Sequence, residues 1–140
     1  MEGIAKPSER ARALGVSLFL EPINRYETHL INSLSQGAEV CRRVASPGLK
    51  LLADFFHMNI EDPAPVESLV THKAVIGHVH VADSTRLLPG YGHLDFPARF
   101  KALQSWGYKG ALVWECSVPA GQEPIAALRE SVRRVREWVG

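Results

Sequence analysis

Gly77-His78-Val79-His80-Val81-Ala82-Asp83 reads as a buried strand that runs out into polar residues. Apolar residues alternate with imidazoles, and His78 and His80, two positions apart, fall on one face of a strand. Three other short apolar runs end the same way. Leu18-Phe19-Leu20 leads into Glu21, Leu51-Leu52-Ala53 into Asp54 with His57 just beyond, and Leu112-Val113-Trp114 into Glu115. Four strand-like runs thus each deliver a carboxylate or an imidazole at or near the carboxyl end.

Between these runs the apolar period changes to that of a helix. Residues 8–14 read as the end of a helix stopped by Gly15. Residues 35–45 read as a helix with Ala38, Cys41, Val44 and Ala45 on one side, broken by Ser46-Pro47-Gly48. Pro63 and Pro65 bracket the start of a helix striped by Val66, Leu69 and Val70. Residues 97–106 form a helix with Phe100 and Leu103 inside, and 123–139 a closing helix on Ile125, Leu128, Val132, Val135 and Val139. The strands are expected over 16–20, 49–54, 74–82 and 111–115, with loops over 24–30, 55–62 and 84–97. The last loop, with Pro89, Gly90 and Gly92, has the length of a functional one.

Strand and helix alternate with a repeat of about 30 residues, which implies parallel strands and right-handed crossovers. Active groups in such folds gather at the carboxyl ends of the strands. A closed eight-stranded barrel takes about 250 residues, and 140 residues hold four strands. The expected fold is therefore α/β: four consecutive βα units of a parallel (β/α)8 TIM-type barrel, a half-barrel or carboxyl-terminal fragment, with residues 1–140 as one domain.

A net charge of +1 argues against a binder of nucleic acid driven by phosphate contacts. Arg129, Arg133, Arg134 and Arg136 share the last helix with Glu130 and Glu137 and read as a solvated face. Two cysteines without a CxxC pair fit a reducing compartment. No apolar run approaches the roughly 20 residues of a membrane span, and the first residues lack the apolar core of a signal peptide. A cytoplasmic protein without membrane partners is expected.

Glu21, Asp54, His80 and Glu115 make a set of three carboxylates and one imidazole. Such mixed O/N ligation suits Mn²⁺, Mg²⁺ or Co²⁺ better than a thiolate site. Cys116 follows Glu115, so its side chain points to the opposite strand face and packs. Glu21 and Glu115 have a second role available: two carboxylates flanking a substrate can take a proton on one face and return it on the other, while a metal stabilises the enediolate between. His57 could bind or polarise a carbonyl or hydroxyl. Arg86 could hold an oxygen and counter negative charge, or, as a surface loop residue, pair with Asp83. His78 reads as a packing histidine of a barrel interior, and His29, His72 and His93 as ordinary surface or loop residues. Trp114 reads as core. Phe55, Phe56 and Met58 either line a wall beside the site or simply pack.

These residues carry a family resemblance. Leu20-Glu-Pro-Ile-Asn-Arg-Tyr-Glu27, Asp54-Phe-Phe-His-Met-Asn59, Gly77-His-Val-His80, the loop from Asp83-Ser-Thr-Arg86 to Pro89-Gly90, and Trp114-Glu115 resemble the carboxyl-terminal half of the xylose-isomerase-like barrel proteins, the sugar phosphate isomerase/epimerase superfamily. Within it they are most similar to ketose 3-epimerases acting on tagatose, psicose or related free sugars. The resemblance covers nearly the whole chain from about residue 8. It implies metal ligands at Glu21, Asp54, His80 and Glu115, substrate contacts at Glu27, His57 and Arg86, and an acid/base pair at Glu21 and Glu115. It also implies manganese, with magnesium or cobalt as substitutes, and inversion at C3 of a ketose through an enediolate. Ala82-Asp83 departs from the Gly-Glu pair that the epimerases often carry, and the first four βα units of the family are missing. No Gly-rich anion cradle is present, which favours an unphosphorylated sugar.

Alternatives within the superfamily are a hydroxypyruvate isomerase or a keto-inositol dehydratase. The apurinic endonuclease branch needs more histidine ligands and a basic face. From a different class, the chain would be an inactive truncated remnant. An open four-stranded sheet exposes two edges that must be paired or covered, so a homo-oligomer, at least a dimer, is the physical expectation.

Overall fold

The apolar runs that end in ligand-type side chains are all strands, and helices follow each of them. The computed structural model describes residues 2–139. The order is α1 (Glu2–Ala13), β1 (Leu18–Leu20), α2 (Leu34–Val44), β2 (Leu49–Asp54), α3 (Phe55–Glu61), α4 (Pro65–Thr71), β3 (Ile76–His80), α5 (Phe96–Ser105), β4 (Leu112–Val113) and α6 (Pro124–Val139). The strands form one parallel sheet in the order β1-β2-β3-β4. Each strand thus lies beside the one before it in the chain, and all four carboxyl ends reach the same rim.

Alternation along the strands sorts side chains between two faces. Leu51, Ala53, Val79 and Val81, none of them exposed, point to the helices and form a core with Leu34, Ala38 and Cys41 of α2. The other face carries Phe19, His78, His80 and Val113. Phe19 and Val113 are 43% and 38% exposed there, because no second layer covers this side among the described residues. A register shift between Leu51 and Leu52 pairs Leu51 with Ile76 and Leu52 with His78. Gly77 is the extra residue, so Ile76 and Val79 both reach the helix-side core, three positions apart. A Cβ at Gly77 would lie 2.9 Å from Lys50 Cβ and 3.0 Å from Phe19 Cε1. Phe55, Phe96 and Phe100, each at most 1% exposed, fill the far end of the core, and Trp138 of α6 stacks on Phe96 at 5.2 Å.

Local chemistry explains the helix ends. Ser33 and Gln36 form a capping box at the start of α2, and Asp95 accepts from Ala98 N–H at the start of α5. Ala45 closes α2 in the left-handed region at φ 54.

Two expectations need correction. Residues 55–61 are helix, not loop: the Asp54 carboxylate accepts from the N–H groups of Phe56 and His57, and Phe55 and Met58 bury three positions apart. Residues 8–13 do close a helix, which begins at Glu2 and has Pro7 inside it; so close to the helix start, the missing Pro7 N–H removes one hydrogen bond without ending the helix. The paired part of β4 is also shorter than 111–115, since Trp114 and Glu115 lie beyond the ladder that β3 offers.

Candidate active site

Four strand ends supply the site. Glu21 follows β1, Asp54 ends β2, His80 ends β3, and Glu115 lies two residues past β4. Asp54 and His80 are direct register partners, and His80 pairs with Val113, so the parallel ladder itself brings these positions level. One donor atom from each of Glu21, Asp54, His80 and Glu115 lies within 4.8 Å of all the others. His80 Nδ1 is central, at 3.4 Å from Glu21 Oε1, 3.5 Å from Asp54 Oδ2 and 2.9 Å from Glu115 Oε2. Even so, neither His80 Nδ1 nor Glu21 Oε1, both buried, has a partner in hydrogen-bond geometry. Buried polar atoms are seldom left unsatisfied. Four convergent donors, two of them unsatisfied, are what a divalent cation fits.

Asp54 divides its work. One oxygen caps α3 through Phe56 and His57, and the other faces the cluster. Burial, and then repulsion from Glu115, hold the Glu21 carboxyl above its ordinary pKa.

Arg86 arrives on the loop after β3, with a left-handed backbone at φ 57. Its guanidinium donates to Asp54 Oδ2 at 2.7 Å and to Glu115, and it lies over the Phe56 ring, 4.8 Å from the centroid. Burial disfavours its charge, but Asp54 and Glu115 outweigh that and hold its pKa above the usual value. The alternative side-chain pairing with Asp83 is not what forms. The Asp83 carboxylate, 1% exposed, is occupied by the N–H groups of Ser84 at 2.7 Å, Gly90 at 2.8 Å and Leu94 at 3.2 Å. Asp83 thereby holds the loop that carries Arg86, and a Cβ at Gly92 would run into its carboxylate. The Arg86 carbonyl accepts from Ser117 N–H, which ties this loop to the segment after Glu115.

His57 is 4% exposed. Its Nε2 points toward the cluster, 3.9 Å from Glu21 Oε1, while Nδ1 faces Asn24. Burial pulls its pKa below the ordinary imidazole value. Glu27 is exposed and joins the site through Asn24, whose side-chain amide donates to it at 2.6 Å. The loop carrying Asn24 and Glu27 is pinned to α3 by Arg25, which grips Glu61 with its backbone N–H and its guanidinium.

All seven residues singled out from the sequence thus lie on this rim. The His78 ring lies tilted against Phe19 at 5.0 Å and edge-on to His80 at 5.2 Å. His29, His72 and His93 lie outside the four-donor cluster. Sequence reasoning missed Asn24 and Asp83. An asparagine in a polar loop looks like a turn former, and an aspartate after a strand looks like a turn residue. The one available signal for Asn24 was its place between Glu21 and Glu27 in a stretch already matched. Both cysteines are free.

A parallel βα sheet with a carboxylate–imidazole cluster on its carboxyl rim defines a metal-type site of a barrel protein. The chain belongs to the xylose isomerase-like TIM barrel family, whose model matches residues 1–138. It is 39% identical over 129 residues to 3-dehydro-D-guloside 4-epimerase of Escherichia coli, covering 90% of this chain and 48% of that protein. It is 42% identical over 113 residues to L-ribulose 3-epimerase of Mesorhizobium japonicum, covering 80% of this chain and 38% of that protein. The crystal structure of 3-keto-D-glucoside 4-epimerase from E. coli superposes with a TM-score of 0.92 at 34% identity, over 97% of this chain and 51% of that one. The chain therefore spans about half the length, or less, of the relatives it matches. Among the described residues no helix is long and apolar enough to cross a membrane.

Proposed function

We propose that this chain carries the catalytic half of a divalent-metal-dependent sugar epimerase that inverts a carbon next to a ketone, in the first instance C3 of a free ketose. The observation that carries this reading is the four-donor cluster with its two unsatisfied buried atoms. Relatives named as 3-epimerases and 4-epimerases support it, since both names describe inversion at one carbon of a sugar.

Glu21, Asp54, His80 and Glu115 hold the cation. The all-oxygen-and-imidazole donor set favours Mn²⁺, with Mg²⁺ or Co²⁺ as substitutes. When bound, the cation supplies positive charge that lowers the energy of an enediolate. The proton chemistry belongs to two glutamates. One of Glu21 and Glu115, as carboxylate, takes the proton from the carbon beside the carbonyl. The electron pair moves onto the carbonyl oxygen, giving the enediolate. The other, as carboxylic acid, returns a proton to the opposite face, so the configuration inverts with no net proton change. Arg86 donates to a substrate oxygen and balances its charge. His57 and Glu27 fix the sugar hydroxyls.

The test combines calorimetry with Mn²⁺ and proton NMR of a ketose in D₂O. The expected result is one tight site per chain and deuterium incorporation at C3 of D-psicose or D-fructose. Glu115→Gln should abolish tight binding and slow exchange by about 10²- to 10⁴-fold. Absence of Mn²⁺ binding by the folded chain would overturn the reading. Exchange in a 3-keto-D-glucoside but in no ketose would move the substrate to the class named for the E. coli relative.

A further inference from the structure

We infer that Asn24 is a positioning residue that locks His57 in the tautomer with its hydrogen on Nε2, so that His57 meets a sugar oxygen as a donor and not as a base. The inference deepens the proposed function by assigning a hydrogen-bond role within that same site.

The number of hydrogens around Asn24 decides the tautomer. Asn24 is 1% exposed, and all its polar atoms are engaged. Its Oδ1 accepts from Tyr26 N–H at 3.0 Å, which fixes which end of the amide is oxygen. The Nδ2 group then has two hydrogens and two neighbours, Glu27 Oε1 at 2.6 Å and His57 Nδ1 at 2.8 Å. The backbone N–H of Asn24 is also directed at His57 Nδ1, at 3.4 Å. Its carbonyl is taken by the N–H groups of Glu27 and Thr28. Two donors thus converge on Nδ1, and no acceptor does. A ring nitrogen that receives hydrogen bonds carries a lone pair, so the hydrogen of the neutral ring sits on Nε2.

That Nε2–H is the atom aimed at the cluster, 3.9 Å from Glu21 Oε1. A sugar hydroxyl or carbonyl placed beside Glu21 would therefore receive a hydrogen bond from His57. The lone pair needed for a general base faces the wrong way, buried against Asn24. Proton abstraction is left to the two glutamates. The same amide group holds Glu27, so one asparagine sets the polarity of two sugar contacts: a donor at His57 and an acceptor at Glu27.

The test is long-range ¹⁵N–¹H correlation of the histidine rings in the unmodified chain, at a pH where His57 is neutral. The expected result is a pyridine-type signal for His57 Nδ1 and a pyrrole-type signal for Nε2. The converse pattern would overturn the inference. A second variant reverses both hydrogen bonds with little change of volume. In Asn24→Asp with Glu27→Gln, the carboxylate at 24 accepts from Nδ1–H and from the glutamine amide, so the two signals should exchange types. A folded double variant with unexchanged signals would show that the Asn24 side chain does not set the tautomer and would equally overturn it. Neither readout needs metal, sugar or turnover. Loss of the epimerase reading would leave the tautomer result standing, and the converse holds as well.

Discussion

At the scale of single residues the site is built from side chains with two jobs each. Asp54 shows this most clearly: one oxygen caps α3 and the other faces His80 and Arg86. The two jobs separate by substitution. Asn is as good a cap as Asp, whereas Ala offers no acceptor. Asp54→Asn is expected to weaken divalent-metal binding while leaving α3 capped. Asp54→Ala is expected to lose the metal and a further ~1 kcal/mol of stability relative to Asn. Urea unfolding of the two variants beside a Mn²⁺ titration checks both halves; equal stability of the pair would count against the capping role. Arg86 pays for its place in the opposite way, through a left-handed backbone at φ 57. A non-glycine residue held there is strained unless its surroundings fix it. Asp83, Ser117 and two carboxylates do so.

At the scale of elements, strand-end chemistry was legible in the sequence because period two and period 3.6 leave different traces. The four runs, their order and the residues after them could be read without coordinates. The helix α3 could not, since its seven residues follow a strand directly, and Phe55-Phe56-His57-Met58 carries no turn residue to mark the boundary. The extra residue at Gly77 was hidden for a related reason: alternation fits His78 and His80 but says nothing of where the register slips. Asn24 was hidden because its partner His57 lies 33 residues further on, in α3. One local choice still runs against backbone preference. Ala45 ends α2 at φ 54, where glycine has no Cβ to strain. Ala45→Gly is expected to raise stability by about 0.5–1 kcal/mol, read as a higher urea midpoint at unchanged slope. A lower midpoint would mean that the Ala45 methyl packs more favourably than its strain costs.

At the scale of the whole molecule, the sheet is open where a barrel would be closed. The outer edges of β1 and β4 have no partner strand among the described residues, and Phe19 and Val113 stand on the uncovered face. Unpaired edges beside apolar side chains are surfaces that associate. The isolated chain is expected to sediment as a dimer or larger, and Val113→Lys is expected to shift it toward the monomer. A monomeric wild-type chain over the whole accessible concentration range would show that the edges are stable when bare.

The strand order β1-β2-β3-β4 also bears on how the protein is made. A chain leaving the ribosome presents its strands in the order in which the sheet is laid down, so each new βα unit finds its neighbour already in place. No strand has to wait for a distant partner or be threaded between two others. The glutamate at position 115 is the last of the four donors to emerge. Translation can therefore complete all four strands before the cluster exists, and a message cut short just before that codon would yield the sheet with three of its four donors.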